Sequence, residues 1–286
     1  MLLELGPHRF DVTHRALVMG ILNRTPDSFY DAGGYWDFDD FLSKADNLIA
    51  DGADFLDVGG VKAGPGDEVP LDEELHRVVP AVEALRARFD VPLSVDTWNA
   101  EVLRHCLDAG ADIGNDISGF ADPDYLPVAA AAGASVVATH IRLGPRIPDP
   151  EPVYDDLVAD VRAFLADRAG RALAAGVEPS RIIVDAGLDL GKTPAMSLEL
   201  LHHSHDLVGL GYPVLLSASN KRFLFELLET SRYEVGAATD AAHTIGVLQG
   251  CRILRAHDVR AARRLVDILA LVAAARRADD VEAARP

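Results

Sequence analysis

Residues 108–116, DAGADIGND, contain the pattern that decides the fold of this 286-residue chain. A helical segment ends at Gly110, a short apolar run follows, and the run ends in Asn115 and Asp116. Glycine at this point supplies the left-handed residue that closes a helix. The same ending precedes five of the apolar runs, as ADG, DAG, AAG, AAG and GLG.

Eight short runs rich in Val, Ile and Leu recur along the chain. They are ALVMGIL (16–22), DFLDVG (54–59), PLSVDT (92–97), DIGND (112–116), SVVATHI (135–141), RIIVDAG (181–187), PVLLSAS (213–219) and RILRAHD (252–258). Segments of helical period separate them, among them FDDFLSKADNLIADG, DEELHRVVPAVEALRARF, NAEVLRHCLDAG and VYDDLVADVRAFLADRAGRALAAG. Fully apolar runs are typical of parallel strands covered on both faces.

Eight strand–helix units without a linker-like stretch predict an α/β fold in which residues 1–286 form one (β/α)8 TIM barrel. A doubly wound sheet is the alternative, and the count of eight favours the barrel. The hydrophobic fraction of 49% is sufficient for a large core, and the aromatic fraction of 6% means that Ala, Val, Leu and Ile must build it.

Composition also restricts the partners. The net charge is −18, from 45 acidic and 27 basic residues, which argues against nucleic-acid binding because phosphate neutralisation requires clustered Lys and Arg. The start of the chain, MLLELGPHRFDVTHR, is not a signal peptide, and no apolar run approaches the length of about 18 residues that a membrane span needs. Cys106 and Cys251 lie in no CxxC motif and suggest buried thiols in a reducing compartment. We therefore expect a soluble, cytoplasmic protein that binds neither nucleic acid nor membrane.

In a barrel of this type the functional residues lie at the carboxyl ends of the strands. The sequence places a dozen polar residues there: Asn23, Asp57, Asp96, Asn115, Asp116, His140, Asp185, Ser219, Lys221, Arg255, His257 and Asp258. A single one could cap the next helix, and capping is our expectation for Asp57 and Asp258. Contributions from all eight strands predict a site.

Three of these residues suit a flat heterocycle. Asp96 and Asp185 can accept from adjacent N–H groups, and the amide of Asn115 can both donate and accept. Burying a polar group costs free energy unless it forms hydrogen bonds, and a barrel that needed only stability would have no reason to keep such groups at its mouth. Their presence therefore argues against a purely structural role.

The cationic group suits an anion. Lys221, Arg255 and His257 are cationic or can become so, and they suit a phosphate or a departing diphosphate, with Asn23 able to hold a divalent metal. No nucleophile–base pair is evident. Positioning and charge stabilisation would therefore perform any catalysis.

Several motifs resemble those of one family. MGILNRTPDSFYDAGG (19–34), SVDT (94–97), NDISG (115–119), DAGLDLGKT (185–193), SASNKRF (217–223) and RAHDV (255–259) are similar, in order, to the signatures of dihydropteroate synthases. The resemblance spans nearly the whole chain. It implies a homodimeric (β/α)8 barrel that uses Mg2+ to join p-aminobenzoate to 6-hydroxymethyl-7,8-dihydropterin diphosphate, with release of diphosphate.

The resemblance also implies residue roles. It assigns the pterin ring to Asp96, Asn115 and Asp185, and contact with the pterin to Lys221. It assigns the diphosphate and metal site to Asn23, Arg255 and His257, which makes Lys221, Arg255 and His257 the catalytic group. It places Thr25, Pro26 and Asp27 in a first flexible loop that closes over p-aminobenzoate.

The second loop departs from the family pattern. Where the family has Glu-Ser-Thr-Arg before Pro-Gly, this chain has Val61-Lys62-Ala63-Gly64. The arginine that meets the diphosphate is replaced by Gly64, and the threonine that positions p-aminobenzoate is replaced by Ala63. Lys62 is the one cation left to bind substrate in this loop, and a lysine does not reproduce the fork of an arginine.

Other positions near the expected site also differ from the family pattern. Asn220 replaces an arginine beside the site, and Leu190 replaces a phenylalanine. Thr139-His140-Ile141 stands where the family has Met-His-Met, which removes a methionine from the pterin wall. Asp189 is expected to place a negative charge beside the pocket, where it would repel a diphosphate.

These losses lead to three hypotheses. Since one lost charge-stabilising donor costs about 100–1000-fold in rate, the first is a paralogue with very weak or no synthase activity, similar to the divergent second paralogue of actinobacteria. The second is a working synthase that uses Lys62 and Arg222 instead. The third is a binder or transferase for another pterin or folate. The apolar stripe of residues 259–277 could serve a dimer or be the inner face of a barrel helix.

Overall fold

The computed structural model describes residues 1–24, 38–231 and 233–283. Two short strands, β1 (Leu2–Leu5) and β2 (His8–Asp11), form an antiparallel hairpin. The remaining strands are β3 (Leu17–Asn23), β4 (Phe55–Gly59), β5 (Leu93–Asp96), β6 (Ile113–Asp116), β7 (Ser135–Thr139), β8 (Ile182–Asp185), β9 (Val214–Leu216) and β10 (Ile253–Ala256). These eight pair in parallel and close into a barrel, because β10 pairs with both β9 and β3. The predicted barrel is confirmed, and the doubly wound sheet is excluded.

Helices cover the outside of the barrel. They are α1 (Phe38–Ala50), α2 (Leu71–Arg88), α3 (Ala100–Asp108), α4 (Tyr125–Ala131), α5 (Leu157–Ala174), α6 (Pro194–His202), α7 (Ser204–Val208), α8 (Arg222–Leu227), α9 (Gly236–Leu248) and α10 (Val259–Ala283). Within the described residues, no helix has the combination of length and apolar character required to cross a bilayer.

The predicted helix endings are also confirmed. Gly110 has φ +107°, and a Cβ there would approach Cγ of Arg86 to 2.8 Å, so this position needs glycine for both conformation and space. The other four glycines of the repeated ending also have positive φ: Gly52, Gly133, Gly176 and Gly211.

The strands alternate between two cores. In β8, Ile182 and Val184 pack outward against the helices, whereas Ile183 packs into the barrel interior. Several other strands place one apolar residue inside in the same way, at Phe55, Ile113, Val137 and Ile253. Because side chains alternate along a strand, the residue two positions later points into the barrel mouth. Those residues are Asp57, Asn115, Thr139, Asp185 and Arg255.

The N-terminal hairpin closes the other end of the barrel. Leu3, Leu5 and Val12 are fully buried and pack against the inner apolar layer. The hairpin was not predicted from the sequence. The missed signal is the alternation of LLEL and HRFD around Gly6-Pro7, since Gly-Pro marks a turn between two short strands.

This arrangement predicts that the hairpin stabilises the barrel. Leu3→Ala should lower the free energy of unfolding by about 2–5 kcal/mol, because it leaves a cavity in the inner layer. Leu2→Ala is the matched control, since Leu2 is 51% exposed and Leu3 is 0% exposed. Urea unfolding followed by circular dichroism measures both. Equal losses in the two variants would contradict a packed hairpin.

Candidate functional site

A cavity of about 50 Å3 lies at the carboxyl ends of the barrel strands. Four of the residues that line it lie at or next to the ends of strands β5 to β8: Asp96, Asn115, Thr139 and Asp185. Its other lining residues are Ala63, Ile117, Gly187, Leu190, Ser217, Lys221 and Arg255. The cavity therefore combines two carboxyls, an amide, two hydroxyls and two cations in one small space.

Arg255 lies between two carboxylates at the base of this cavity. Its Nε donates to Oδ2 of Asp57 at 2.7 Å, and its Nη2 donates to Oδ2 of Asp96 at 3.0 Å. Asp57 is completely buried, and Arg255 is its cationic partner. A buried carboxylate without such a partner would be strongly destabilising.

Two further donors support Asp57. The hydroxyl of Ser94 donates to Oδ1 at 2.6 Å, and Nδ2 of Asn115 lies 3.3 Å from both carboxylate oxygens. Our expectation that Asp57 caps a helix is wrong, because its strand position points it into the barrel. Asp258 does act as a cap, since its Oδ1 accepts from the backbone N–H of Ala261 at 2.9 Å.

Burial changes the ionisation of the two lining carboxyls. Burial raises the pKa of Asp96 to about 7, with Arg255 opposing the rise and Asp57 adding to it. Burial likewise raises the pKa of Asp185, although the N–H of Gly187 donates to its Oδ1 at 2.8 Å and favours the charged form. Ligand N–H groups directed at these carboxyls would supply the donors that favour their ionised forms.

Lys221 lies at the start of α8, and its Nζ donates to the carbonyl of Leu188 at 3.1 Å. The preceding Asn220 has φ +55°, a conformation that Asn tolerates better than most residues. Its backbone N–H donates to the hydroxyl of Thr239 on α9 at 3.1 Å, and it is not among the residues lining the cavity. The position that carries an arginine in the resembled family thus contributes no charge to the cavity here.

His257 is held as a neutral imidazole. Burial, followed by repulsion from Arg255, lowers its pKa to about 3. The hydroxyl of Ser219 accepts from the backbone N–H of His257 at 3.1 Å and lies 3.0 Å from its Nδ1. Near neutral pH His257 therefore adds no positive charge to the expected cationic group. Of the expected cationic group, Lys221 and Arg255 line the cavity.

Two polar residues expected at the mouth point away from the cavity. Asp116 accepts from the backbone N–H groups of Ser118 and Phe120 at 2.6 and 2.8 Å and so shapes its own loop. His140 packs edge to face on Phe164 with ring centroids 4.8 Å apart. Each follows a residue that faces inward, Asn115 and Thr139 respectively, and alternation sends the next side chain outward.

Lys192 was missed by the sequence analysis. It is only 2% exposed, and its Nζ lies 2.8 Å from Nδ1 of His140 and donates to the carbonyl of Leu190 at 2.9 Å. Burial lowers the pKa of Lys192 to about 7 and that of His140 to about 3. This pair holds the loop after β8 against the barrel. The available signal was a lone lysine in the otherwise uncharged stretch LGKTPAM.

A second missed residue, Arg146, holds the loop after β4. Its backbone N–H donates to the carbonyl of Ala63 at 3.2 Å, and its Nη1 donates to the carbonyl of Lys62 at 3.0 Å. Its Nη2 also donates to the carbonyl of Asp67. A Cβ on Gly66 would lie 2.5 Å from that nitrogen, so glycine leaves the space for the guanidinium. As a result Ala63 lines the cavity, whereas Lys62 is not among its lining residues.

The charge of Asp189 is directed away from the cavity. Its Oδ1 accepts from the hydroxyl of Ser197 on α6 at 3.3 Å, and its Oδ2 accepts from the backbone N–H of Phe223 on α8 at 3.3 Å. The expectation of a repulsive charge facing the ligand is therefore wrong. Asp189 adopts φ +66°, where the resembled family has glycine, and these two bonds hold it there.

Asn23 ends β3 beside Gly59, the last residue of β4. A Cβ on Gly59 would lie 3.3 Å from Oδ1 of Asn23 and 3.7 Å from Oδ2 of Asp96, so these two side chains flank the glycine. Thr25, Pro26 and Asp27 lie outside the described residues.

Comparison with known proteins places the chain in one family. The model of the family described as pterin binding enzyme matches residues 19–257. The protein named inactive dihydropteroate synthase 2 of Mycobacterium leprae is 43% identical over 270 residues, which cover 90% of this chain and 91% of the relative.

Two solved structures have the same fold. Dihydropteroate synthase of Yersinia pestis in complex with a sulfonamide drug has a TM-score of 0.91 at 37% identity and covers 96% of this chain and 100% of its own. The Xanthomonas albilineans enzyme in complex with 7,8-dihydropteroate has a TM-score of 0.85 at 36% identity and covers 96% and 99%. The chain belongs to the family of pterin-binding enzymes.

Proposed function

We propose that this protein is a dihydropteroate synthase-like paralogue that binds a pterin-type ligand and catalyses very little or no condensation with p-aminobenzoate. The observation that carries the proposal is the contrast within one cavity. Asp96, Asn115 and Asp185 meet there, whereas the loop that should supply a hydroxyl and an arginine presents Ala63 and Gly64. The Mycobacterium leprae relative, which is named an inactive dihydropteroate synthase 2, supports the same interpretation.

The cavity suits a flat ring that is rich in hydrogen-bonding groups. Asp185 and Asp96 accept from ring and amino N–H groups, and Asn115 can both donate and accept. The ammonium of Lys221 can donate to a ring nitrogen or carbonyl. The structure of the Xanthomonas albilineans enzyme with 7,8-dihydropteroate supports a ligand of this class.

The described part of the cavity is poor in groups that could stabilise a departing diphosphate. Ala63 has no hydroxyl, and Gly64 has no side chain. The guanidinium of Arg255 is already engaged by Asp57 and Asp96. His257 is neutral near physiological pH because burial lowers its pKa to about 3. Since each lost charge-stabilising donor costs about 100–1000-fold in rate, we expect condensation to be slow or undetectable.

The described residues fit Mg2+ only in part. Asn23 could supply one oxygen, but Oδ2 of the adjacent Asp96 already accepts from Arg255. Magnesium is commonly held by one or two protein groups together with the phosphates of the substrate. Asn23 would therefore hold the ion only with a bound diphosphate, which this pocket is poorly equipped to keep.

The proposal includes a homodimer in the cytoplasm. Its support is a set of exposed apolar side chains on α6, α9 and α10: Leu198, Ile245, Leu248, Ile268 and Leu271. These helices are neighbours, since α9 contacts both α6 and α10. Both cysteines are buried and unpaired, which is consistent with a reducing compartment.

The working-synthase alternative relies on Lys62 and Arg222. Arg222 is half exposed, its Nη2 donates to the carbonyl of Lys192 at 3.3 Å, and its Nε lies 3.7 Å from Glu226. Neither Lys62 nor Arg222 is among the described residues that line the cavity. If they nevertheless replace the lost arginines, Lys62→Ala should abolish turnover.

The direct test combines binding and turnover on the same sample. Isothermal titration with 7,8-dihydropterins should show saturable binding that Asp185→Asn weakens, while a synthase assay with both substrates and Mg2+ should show little or no product. Turnover comparable to that of an ordinary synthase would overturn the proposal. Binding of folates in preference to pterins would instead favour the third hypothesis.

The lost loop chemistry can be restored in place. A Cβ on Gly64 would meet none of the described atoms within 4 Å, so an arginine fits there. We expect Ala63→Thr combined with Gly64→Arg to raise the condensation rate at least about tenfold, since one well-placed donor is worth about 100–1000-fold. Gly170→Arg on α5 is the matched control, because it adds the same charge at another open position. Equal rates in both variants would show that the loop is not the limiting defect.

Pterin binding should depend on pH through Asp96. Its pKa of about 7 means that below this pH the unliganded carboxyl carries a proton, which must leave before it can accept from the ligand. Affinity should therefore fall by up to about tenfold for each pH unit below 7. Titrations between pH 5 and 8 measure this slope, and Asp96→Asn should flatten it. Tighter binding at acid pH in the parent protein would refute this role.

A further inference from the structure

Three potential metal ligands meet where α6 joins α7. His203 lies between the two helices, and His205 and Asp206 lie in the first turn of α7. One ligand atom from each falls within 4.8 Å of the other two. Because both helices run back from the cavity end of the barrel, this group lies near the opposite end, next to the start of β9.

The imidazole of His205 has a fixed orientation. Oε1 of Gln249, at the end of α9, accepts from the backbone N–H of His205 at 3.3 Å and lies 3.0 Å from its Nδ1. A backbone N–H can only donate, so this amide oxygen is an acceptor and Nδ1 must carry a proton. The neutral ring then presents the lone pair of Nε2, which lies 3.4 Å from Oδ2 of Asp206.

The same carboxylate oxygen faces a second imidazole. Nδ1 of His203 lies 3.0 Å from Oδ2 of Asp206. Two ring nitrogens thus approach one carboxylate oxygen, and the Nε2 lone pair of His205 is directed at that oxygen. A metal ion placed among the three atoms would accept this lone pair and remove the repulsion between it and the carboxylate.

We propose that His203, His205 and Asp206 bind a divalent transition-metal ion of the zinc class. Imidazole nitrogen and carboxylate oxygen are suitable ligands for such ions, at about 2.0–2.2 Å from the metal. Ligand atoms around a tetrahedral ion of this size lie about 3.3 Å apart, close to the separations of 3.0 and 3.4 Å seen here. Water would complete the coordination.

The surroundings support the geometry of a metal site. Metal-ligating histidines usually donate their second ring N–H to a carbonyl or carboxylate, and Gln249 accepts that bond from His205. Nε of Arg162 on α5 donates to the backbone carbonyl of Asp206 at 3.3 Å, so α7 is held from two sides. The side chains of the three ligands are 39–59% exposed, which leaves an open entry path.

Cobalt titration of the full chain, prepared without a histidine tag, tests this proposal. We expect one Co2+ per chain with the visible absorption of a tetrahedral ion, displacement by Zn2+, and a Zn2+-dependent rise in Tm. His203→Ala with His205→Ala should abolish all three signals. Gln249→Ala should weaken Co2+ binding by about 10–100-fold through loss of the orienting bond.

The matched control is His76→Ala on α2, which removes an exposed histidine outside the group and should leave the binding unchanged. Absence of a Co2+ signal from the parent protein would overturn the proposal. Undiminished binding by the double variant would also overturn it, because the ion would lie elsewhere.

Discussion

The buried pair between Arg255 and Asp57 is the interaction on which the rest of the site depends. The two residues are 198 positions apart and come from β10 and β4. They meet because β10 pairs with β3, which in turn pairs with β4, so that closure of the barrel brings the last strand beside the first. Removing one member of a buried pair costs about 3–5 kcal/mol. Closure of the barrel is therefore what places the positive charge of Arg255 beside the carboxyls of Asp57 and Asp96.

Around this pair the protein keeps polar groups whose burial is costly. Asp185 is buried and Asp96 is largely buried, at a site where their pKa values are raised, and each would be less costly to the fold as an apolar residue. Their retention is consistent with selection for a ligand. Ala63 and Gly64, in contrast, perform no evident chemistry on the loop above them. Asp96, Asn115 and Asp185 lie on strands, whereas Ala63 and Gly64 lie on a loop, so this loop can differ from the family pattern without changing the strand residues.

Several charged side chains on the loops of this protein form hydrogen bonds to neighbouring protein groups. Arg146 donates to the carbonyls of the loop after β4, and Lys192 donates to carbonyls on the loops after β7 and β8. Asp189 bonds to α6 and α8. Each of these charged side chains is directed at neighbouring protein groups, which keeps the loops ordered around a small cavity. At the α6–α7 junction, two histidines and one carboxylate also lie close together, and this is the group that we propose binds a metal ion.

The sequence by itself determined the fold and much of the cavity. Eight apolar runs and five helix-ending glycines established the barrel, and polar residues after the runs identified Asp96, Asn115, Asp185, Lys221 and Arg255. The sequence could not determine which side chains point into the barrel and which point outward. Strands covered on both faces are apolar on both faces, so they show no alternation of polar and apolar residues. Asp57, Asp116 and His140 were misjudged for that reason. Only the tertiary structure decided the partners of Arg146 and Lys192 and the neutrality of His257, since these depend on burial and on contacts between residues that are distant in the chain.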